Sequence, residues 1–438
     1  MTNIQQKLIQ LLKDEVKPAL GCTEPGAVAL GCAMAKELIE DDKIVNCVVE
    51  VSPNIYKNGM CVGIPGTNGE IGLPISAALG ITGGDSKLGL NALESSTDKD
   101  LSDAHELINQ KKISIKLLDV ADKVLVNVKL TGEKNTAEVL IKEKHDNIVY
   151  MKKNTEIILD KKNNNIEEVA IGTASATDLL VSLSIKELVQ TVEDMDSNDL
   201  LFLLDGIKMN SVMAEKGLAE KLGSGVGYSY KMALKDGLIS DSLVTRAVTL
   251  TAAASDARMS GMKLPVMSSN GSGNHGLTAI LPIAAYVEYF PQSEERVVKA
   301  LAISHLVIAY IKHYTGRLSA VCGCGVAASV GSAAAITWLM DLGYEKIEGA
   351  INNMVADLSG VICDGAKAGC ANKLASASHA AVQAALLAKY DGIVPNMNGI
   401  VGNTVEESIR NLGTVANDGM TITDKVIVNV MDKIHKNA

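Results

Sequence analysis

Four of the eight cysteines in this 438-residue chain stand in glycine- and alanine-rich stretches of its C-terminal third. Cys322 and Cys324 lie in Ser319-Ala-Val-Cys-Gly-Cys-Gly325, and Cys363 and Cys370 in Cys363-Asp-Gly-Ala-Lys-Ala-Gly-Cys370. Thiolates bind soft metals and iron–sulfur clusters, and small neighbours let backbone approach a bulky inorganic centre. The spacings match neither the paired knuckles of structural zinc sites nor the ferredoxin run. Dispersed thiolates suit a cluster held by a preformed fold, three of them binding three irons of a [4Fe–4S] cube and leaving the fourth open. The alternative is a set of small buried hydrophobes, since free cysteine is among the most buried residue types. Spacing alone leaves both open.

Three further segments carry chemistry. Cys22, in Gly21-Cys-Thr-Glu-Pro-Gly26, precedes an expected helix N-terminus, where unpaired amides and the helix dipole would depress a thiol pKa. Such a thiolate is a base, a nucleophile or a fourth cluster ligand. Ser268-Ser-Asn-Gly-Ser-Gly-Asn-His-Gly276 contains a literal G-x-G-x-x-G, but no βαβ unit follows it, so the dinucleotide reading is rejected. An anion nest ahead of a helix starting near Leu277 is the better functional reading. Amides with Asn270, Ser272 and Asn274 would hold a carboxylate, and His275 would donate to a substrate. A capped glycine-rich turn is the plain alternative. Arg317, in Lys312-His-Tyr-Thr-Gly-Arg317, suits bidentate carboxylate capture or a helix-end ion pair. His313 and His379 are read as structural.

The elements that must position these residues form an α+β chain. Residues 1–110 read as an N-terminal α/β portion. It has a helix over 3–16, a second with Thr23 as N-cap and Pro25 in its first turn, a strand over Val45–Val51, a turn-rich loop over 53–59 and glycine-dense loops beyond. Residues 111–165 alternate apolar and polar and predict a small antiparallel sheet with one buried face. Residues 166–438 read as a mostly helical domain carrying the four clustered cysteines.

Composition narrows the function classes. Aromatics are only 3% against 47% hydrophobic residues, so close-packed aliphatic helices build the core. The net charge of −10 argues against nucleic-acid or anionic-membrane partners. Residues 319–340 carry no charge and are long enough to span a bilayer, but their Ala, Gly and Ser content fits a buried helix better. The N-terminus reads straight into an amphipathic helix without a signal-peptide pattern, so a cytoplasmic location and free thiols are expected. Small-residue helices are compatible with a homodimer.

Seven motifs in order resemble the L-cysteine desulfidase family of the iron–sulfur-dependent L-serine dehydratase alpha-chain superfamily. They are Lys17-Pro-Ala-Leu-Gly-Cys22-Thr-Glu-Pro25, Lys57-Asn-Gly-Met60, Gly63-Ile-Pro-Gly-Thr67, Gly83-Gly-Asp85, Ser269-Asn-Gly-Ser-Gly-Asn-His275, Cys322-Gly-Cys324 and the Cys363–Cys370 segment. The resemblance implies an oxygen-sensitive [4Fe–4S] cluster on Cys363, Cys370 and one cysteine of the Cys-Gly-Cys segment, Cys324 or alternatively Cys322. It gives Cys22 the role of catalytic base or temporary ligand. The expected reaction is β-elimination of an amino acid without pyridoxal phosphate. L-cysteine would yield pyruvate, ammonia and sulfide; L-serine is the rival substrate. Lys57 and Asn58 are further substrate-side candidates. A non-enzymatic cluster protein is the alternative from another class.

Overall fold

A computed structural model describes residues 2–67, 69–161, 176–316 and 319–436. Arg317 lies outside the described residues. The first portion runs α1 (Asn3–Glu15), β1 (Pro18–Leu20), α2 (Thr23–Ile39), β2 (Ile44–Val51), α3 (Pro53–Gly59), α4 (Leu73–Gly83) and α5 (Asp98–Asn109). It continues through β3 (Ile113–Leu117), β4 (Leu125–Gly132), β5 (Thr136–Lys142), β6 (Ile148–Lys153) and β7 (Glu156–Asp160). The helical portion comprises α6 (Ala176–Ser182), α7 (Ile185–Glu193), α8 (Leu204–Ala219), α9 (Val226–Lys235) and α10 (Leu243–Met259). After β8 (Pro265–Met267) follow α11 (Gly273–Tyr289), α12 (Glu294–Thr315), α13 (Ala327–Leu339), α14 (Tyr344–Leu358), α15 (Cys370–Lys389), α16 (Val405–Thr414) and α17 (Thr421–Lys436). The α+β expectation holds.

The sheet is larger and less uniform than its sequence suggests. Its six strands run in the order β3-β2-β4-β5-β6-β7. β2 pairs parallel with β3, and the other neighbours are antiparallel. Residues 44–51 therefore sit inside the sheet that residues 111–160 complete. α2 packs on β4 and β5, and Cys32 and Cys47 are buried in the resulting core. The 53–59 segment is a helix rather than a loop, because Pro53 falls in its first turn, where a missing N–H costs nothing.

The helical portion packs α10, α11, α13, α14 and α15 through alanine-rich faces into one core. Gly217 shows how close these faces come: a Cβ there would lie 2.0 Å from the Ala253 carbonyl oxygen. α13 spans 13 residues, and among the described residues no helix is long and apolar enough to cross a membrane.

Three crossings build the site. α1 leaves the N-terminal portion and buries Leu8 and Leu12 in the helical core. β1 then pairs antiparallel with β8, Pro18 opposite Met267 and Leu20 opposite Pro265, while Arg258 ties the Gly21 carbonyl next to Cys22 to Asn274. α17 returns at the far end to pack Val428 and Met431 into the sheet-side core, next to α3.

Candidate active site

The cysteine segments meet through backbone pairing. Val321 bridges Ile362 antiparallel, Cys322 N–H donates to the Val361 carbonyl (2.8 Å), and Cys363 N–H donates to the Ala320 carbonyl (2.6 Å). The thiols follow. Cys322 Sγ is 3.4 Å from Cys324 Sγ and hydrogen-bonded to Cys363, with Cys370 at the start of α15 close enough to interact with both. All eight cysteines are free. Thiol–thiol hydrogen bonding, reinforced by burial, raises Cys322 and Cys363 well above the ordinary thiol value. Burial pushes Cys370 up to about 11. Among the described residues no three His, Cys, Asp or Glu side chains are arranged to hold a single metal ion.

Lysines surround these thiols. Lys57 is 1% exposed, bonds Asp424 of α17 and acts electrostatically on Cys363. Lys373 donates to the Ile362 carbonyl and to Asp364, and interacts with Cys322 and Cys363. Burial alone would raise the Asp364 carboxyl, but bonds from Lys367 and Lys373 outweigh it and hold it at about 2. Lys312 is buried on the other side, near Gly323 and His275. Such a shell of cations favours anionic occupants.

Gly323, between the two cysteines, is a steric necessity. A Cβ there would fall 2.4 Å from His275 Nε2, so the ring lies flush against the Cys-Gly-Cys backbone. His275 Nδ1 is 3.2 Å from the Ser269 carbonyl oxygen. A carbonyl only accepts, so Nδ1 carries the proton and Nε2 presents a lone pair. Burial, with Lys312 adding to it, holds His275 at about 3, hence neutral. The expected donor is thus an acceptor at the edge facing the cysteines. Ser269 Oγ in turn bonds His305 Nδ1 at 2.8 Å.

Five of the amides expected to form a nest are already bonded. α11 starts at Gly273 rather than Leu277, and the amides of Ser268, Ser269, Asn270, Ser272 and Gly276 bond the carbonyls of Lys17, Ser272, Glu15, Ser269 and Ser272. The β1–β8 pairing and the turn itself consume them. Asn270 is turned inward, its amide nitrogen donating to Ser269 Oγ and the His305 carbonyl. Ser272 is the cap residue of α11 without a capping side-chain bond. Asn274 accepts from Arg258 Nη1 at 3.0 Å.

Cys22, not Thr23, is the cap residue of α2. Its thiol packs near Val62, Met259 and Cys370, which carries it to the cysteine group. The helix terminus does not depress it. Burial dominates and raises the thiol above its ordinary value; Arg258 lowers it and Glu24 raises it. Asn58 bonds Glu24 Oε1 at 3.0 Å, and Lys57 beside it faces Cys363.

Comparison with known proteins fits this geometry. Residues 90–429 match the family model described as serine dehydratase alpha chain. The chain belongs to that family. Relatives named UPF0597 protein span it almost completely. The one from Clostridioides difficile is 55% identical, over 98% of this chain and 100% of its own. Those of Alkaliphilus oremlandii and Alkaliphilus metalliredigens are 46% and 48% identical, over 98% and 99% of this chain and 98% and 96% of their own. A lyase-type enzyme of the serine dehydratase kind follows from the family.

In this serine dehydratase family member, Arg258 and Glu24 stand next to Cys22 and carry little local signal in the sequence. Arg258 ends an alanine-rich helix, a position that reads as surface. Glu24 reads as a dipole-complementing residue of a first turn. Both are buried, at 6% and 8% exposure, and both act electrostatically on Cys22.

Proposed function

We propose that this enzyme eliminates sulfide from L-cysteine at a [4Fe–4S] cluster with one open iron, giving pyruvate, ammonia and sulfide. The observation that carries this reading is the meeting of Cys322, Cys363 and Cys370 inside a shell of lysines. The donors fit the group in kind. Cluster ligands are thiolates spread over separate irons, so they need not converge on one point. Protonated thiols release protons on metal binding, and Lys57, Lys312 and Lys373 offset the negative charge that results. Cys322, Cys363 and Cys370 would hold the cluster. Cys322 is preferred to Cys324 because it bonds Cys363, whereas Cys324 packs toward the helical core. When bound, the cluster would supply a soft Lewis acid for the leaving group, which suits sulfur better than hydroxyl oxygen.

The chain's own residues handle the substrate and its proton. The Cα–H and Cβ–S bonds break, the proton goes to a base and the sulfur departs as sulfide. The 2-aminoacrylate left behind takes up water to give pyruvate and ammonia. Cys22 is the proposed base: its raised pKa makes it strong once ionised, and Arg258 provides the counter-charge. His275 Nε2 accepts a hydrogen bond on the Cys-Gly-Cys side. L-serine dehydration is the second reading, favoured by the family description; hydroxide would leave in place of sulfide.

Protein purified without oxygen tests the cluster. Iron and acid-labile sulfide are expected in the wild type and in Cys324→Ala. Both should be lost in Cys322→Ala, Cys363→Ala and Cys370→Ala. Zinc with no labile sulfide in the wild type would exclude the cluster.

A further inference from the structure

Two buried charges of opposite sign lie beside Cys22 without neutralising each other. Arg258 donates from Nη2 to the Gly21 carbonyl (2.6 Å) and from Nη1 to Asn274 Oδ1 (3.0 Å). The guanidinium also hydrogen-bonds the Cys22 thiol, and its Nε–H is buried with no partner among the described residues. Its guanidinium fills the space a side chain at Gly273 would need, since a Cβ there would lie 2.4 Å from Nε. No carboxylate comes within 4 Å of Arg258 among the described residues. Glu24 Oε1 accepts from Asn58, and Oε2 accepts from Thr23 Oγ at 3.2 Å. The single basic group within 4 Å of it, among the described residues, is the His145 imidazole, with Nε2 at 3.9 Å.

Burying a charge without a partner costs several kcal/mol. A cation and an anion kept apart at such cost, with a partly accessible residue beside them, are what a ligand bearing both charges would complete. Arg258 bonds the carbonyl of Gly21, the residue before Cys22, and Glu24 is two residues after it, so both charges lie close to the thiol. Cys22 and Thr23 are partly exposed, which leaves an approach from solvent.

We infer that Arg258 and Glu24 are the two ends of a receptor for an α-amino acid zwitterion, with the carboxylate on Arg258 and the ammonium on Glu24. This rests on the amino-acid reading of the site and adds which residues recognise each end. The ammonium is read by Glu24 Oε1 with Asn58, and the carboxylate by the Arg258 edge that now lacks a partner. The Cα hydrogen between the two groups is thereby presented to Cys22.

Anaerobic calorimetry on the full-length protein separates the two ends. L-alanine carries both charges and no leaving group; propionate carries only the carboxylate. Glu24→Gln keeps the shape and the bond to Asn58, and should weaken L-alanine binding about tenfold to a hundredfold, the loss of a charge-assisted bond. Propionate binding should be unchanged in that variant. Arg258→Lys should weaken both ligands. If Glu24→Gln binds L-alanine as wild type does, or weakens both ligands alike, or if wild type binds neither, the inference is wrong. Turnover is measured in parallel. Sulfide release from L-cysteine with unaltered L-alanine binding in Glu24→Gln would sink the receptor and keep the reaction. The expected binding pattern with no amino acid turned over would do the reverse.

Discussion

Ser269 links two buried histidines, and their neutrality has a cost in acid. His275 and His305 both sit at about 3 in the folded protein, chiefly through burial, against an ordinary 6.5. The folded value is below the unfolded one, so the stability they contribute is fully present above about pH 6.5 and lost as pH falls toward 3. Each histidine then gives a slope of about 1.4 kcal/mol per pH unit. Asp256, raised by burial to about 6, works the other way: its contribution is fully present below its ordinary 3.8 and lost as pH rises through 6. Between about pH 4 and 6 it cancels one histidine, leaving one proton's worth of acid destabilisation from these three groups. Urea unfolding across that range should show His305→Gln with a slope lower by about 1.4 kcal/mol per unit. An unchanged slope would mean that His305 is protonated in the folded state.

At the scale of elements, α17 is the piece that closes the lysine shell. It brings Asp424 onto Lys57, sets Asp432 3.5 Å from the Tyr56 hydroxyl and lays His435 Nε2 3.5 Å from Cys61 Sγ. Its opposite face exposes Ile422, Val426, Val430 and Ile434. Removing Asp424 leaves Lys57 as a buried cation with its partner gone. Asp424→Ala should therefore lower stability by about 3 kcal/mol, the lower end for breaking a buried pair, because Asp424 is itself partly exposed. Adding Lys57→Met should recover most of the loss in a urea-unfolding series. Equal instability of the single and double variants would show that the pair contributes nothing specific.

Across the whole molecule, what was legible in the sequence is what leaves a local mark. Thiol chemistry and close backbone approach mark the Cys322–Cys324 and Cys363–Cys370 segments, and the lack of strand alternation marks α10, α12 and α15 as helical. Non-local decisions were not legible. Nothing in Ile44–Val51 says that it joins a sheet made mostly from residues 113–160, since the pairing is chosen by partners some seventy residues away. The amides of Ser268 and Asn270 looked free because the carbonyls that take them, on Lys17 and Glu15, are some 250 residues upstream. Nothing local to Arg258 says that it is buried, because α15, α8 and α11 cover α10 from elsewhere in the chain. The domain limits at 110/111 and 165/166 follow composition. The sheet crosses the first of them through β2, and α1 and α17 cross between the sheet side and the helical side.

The proposed reaction is tested most directly by its products. Full-length protein prepared and kept without oxygen, with its iron intact, is given L-cysteine and L-serine separately. Sulfide and pyruvate are then followed together. Equimolar sulfide and pyruvate from L-cysteine, formed faster than pyruvate from L-serine and lost in Cys363→Ala, is the predicted result. Pyruvate formed faster from L-serine would contradict the desulfidase reading, and no pyruvate from either amino acid would contradict the elimination itself.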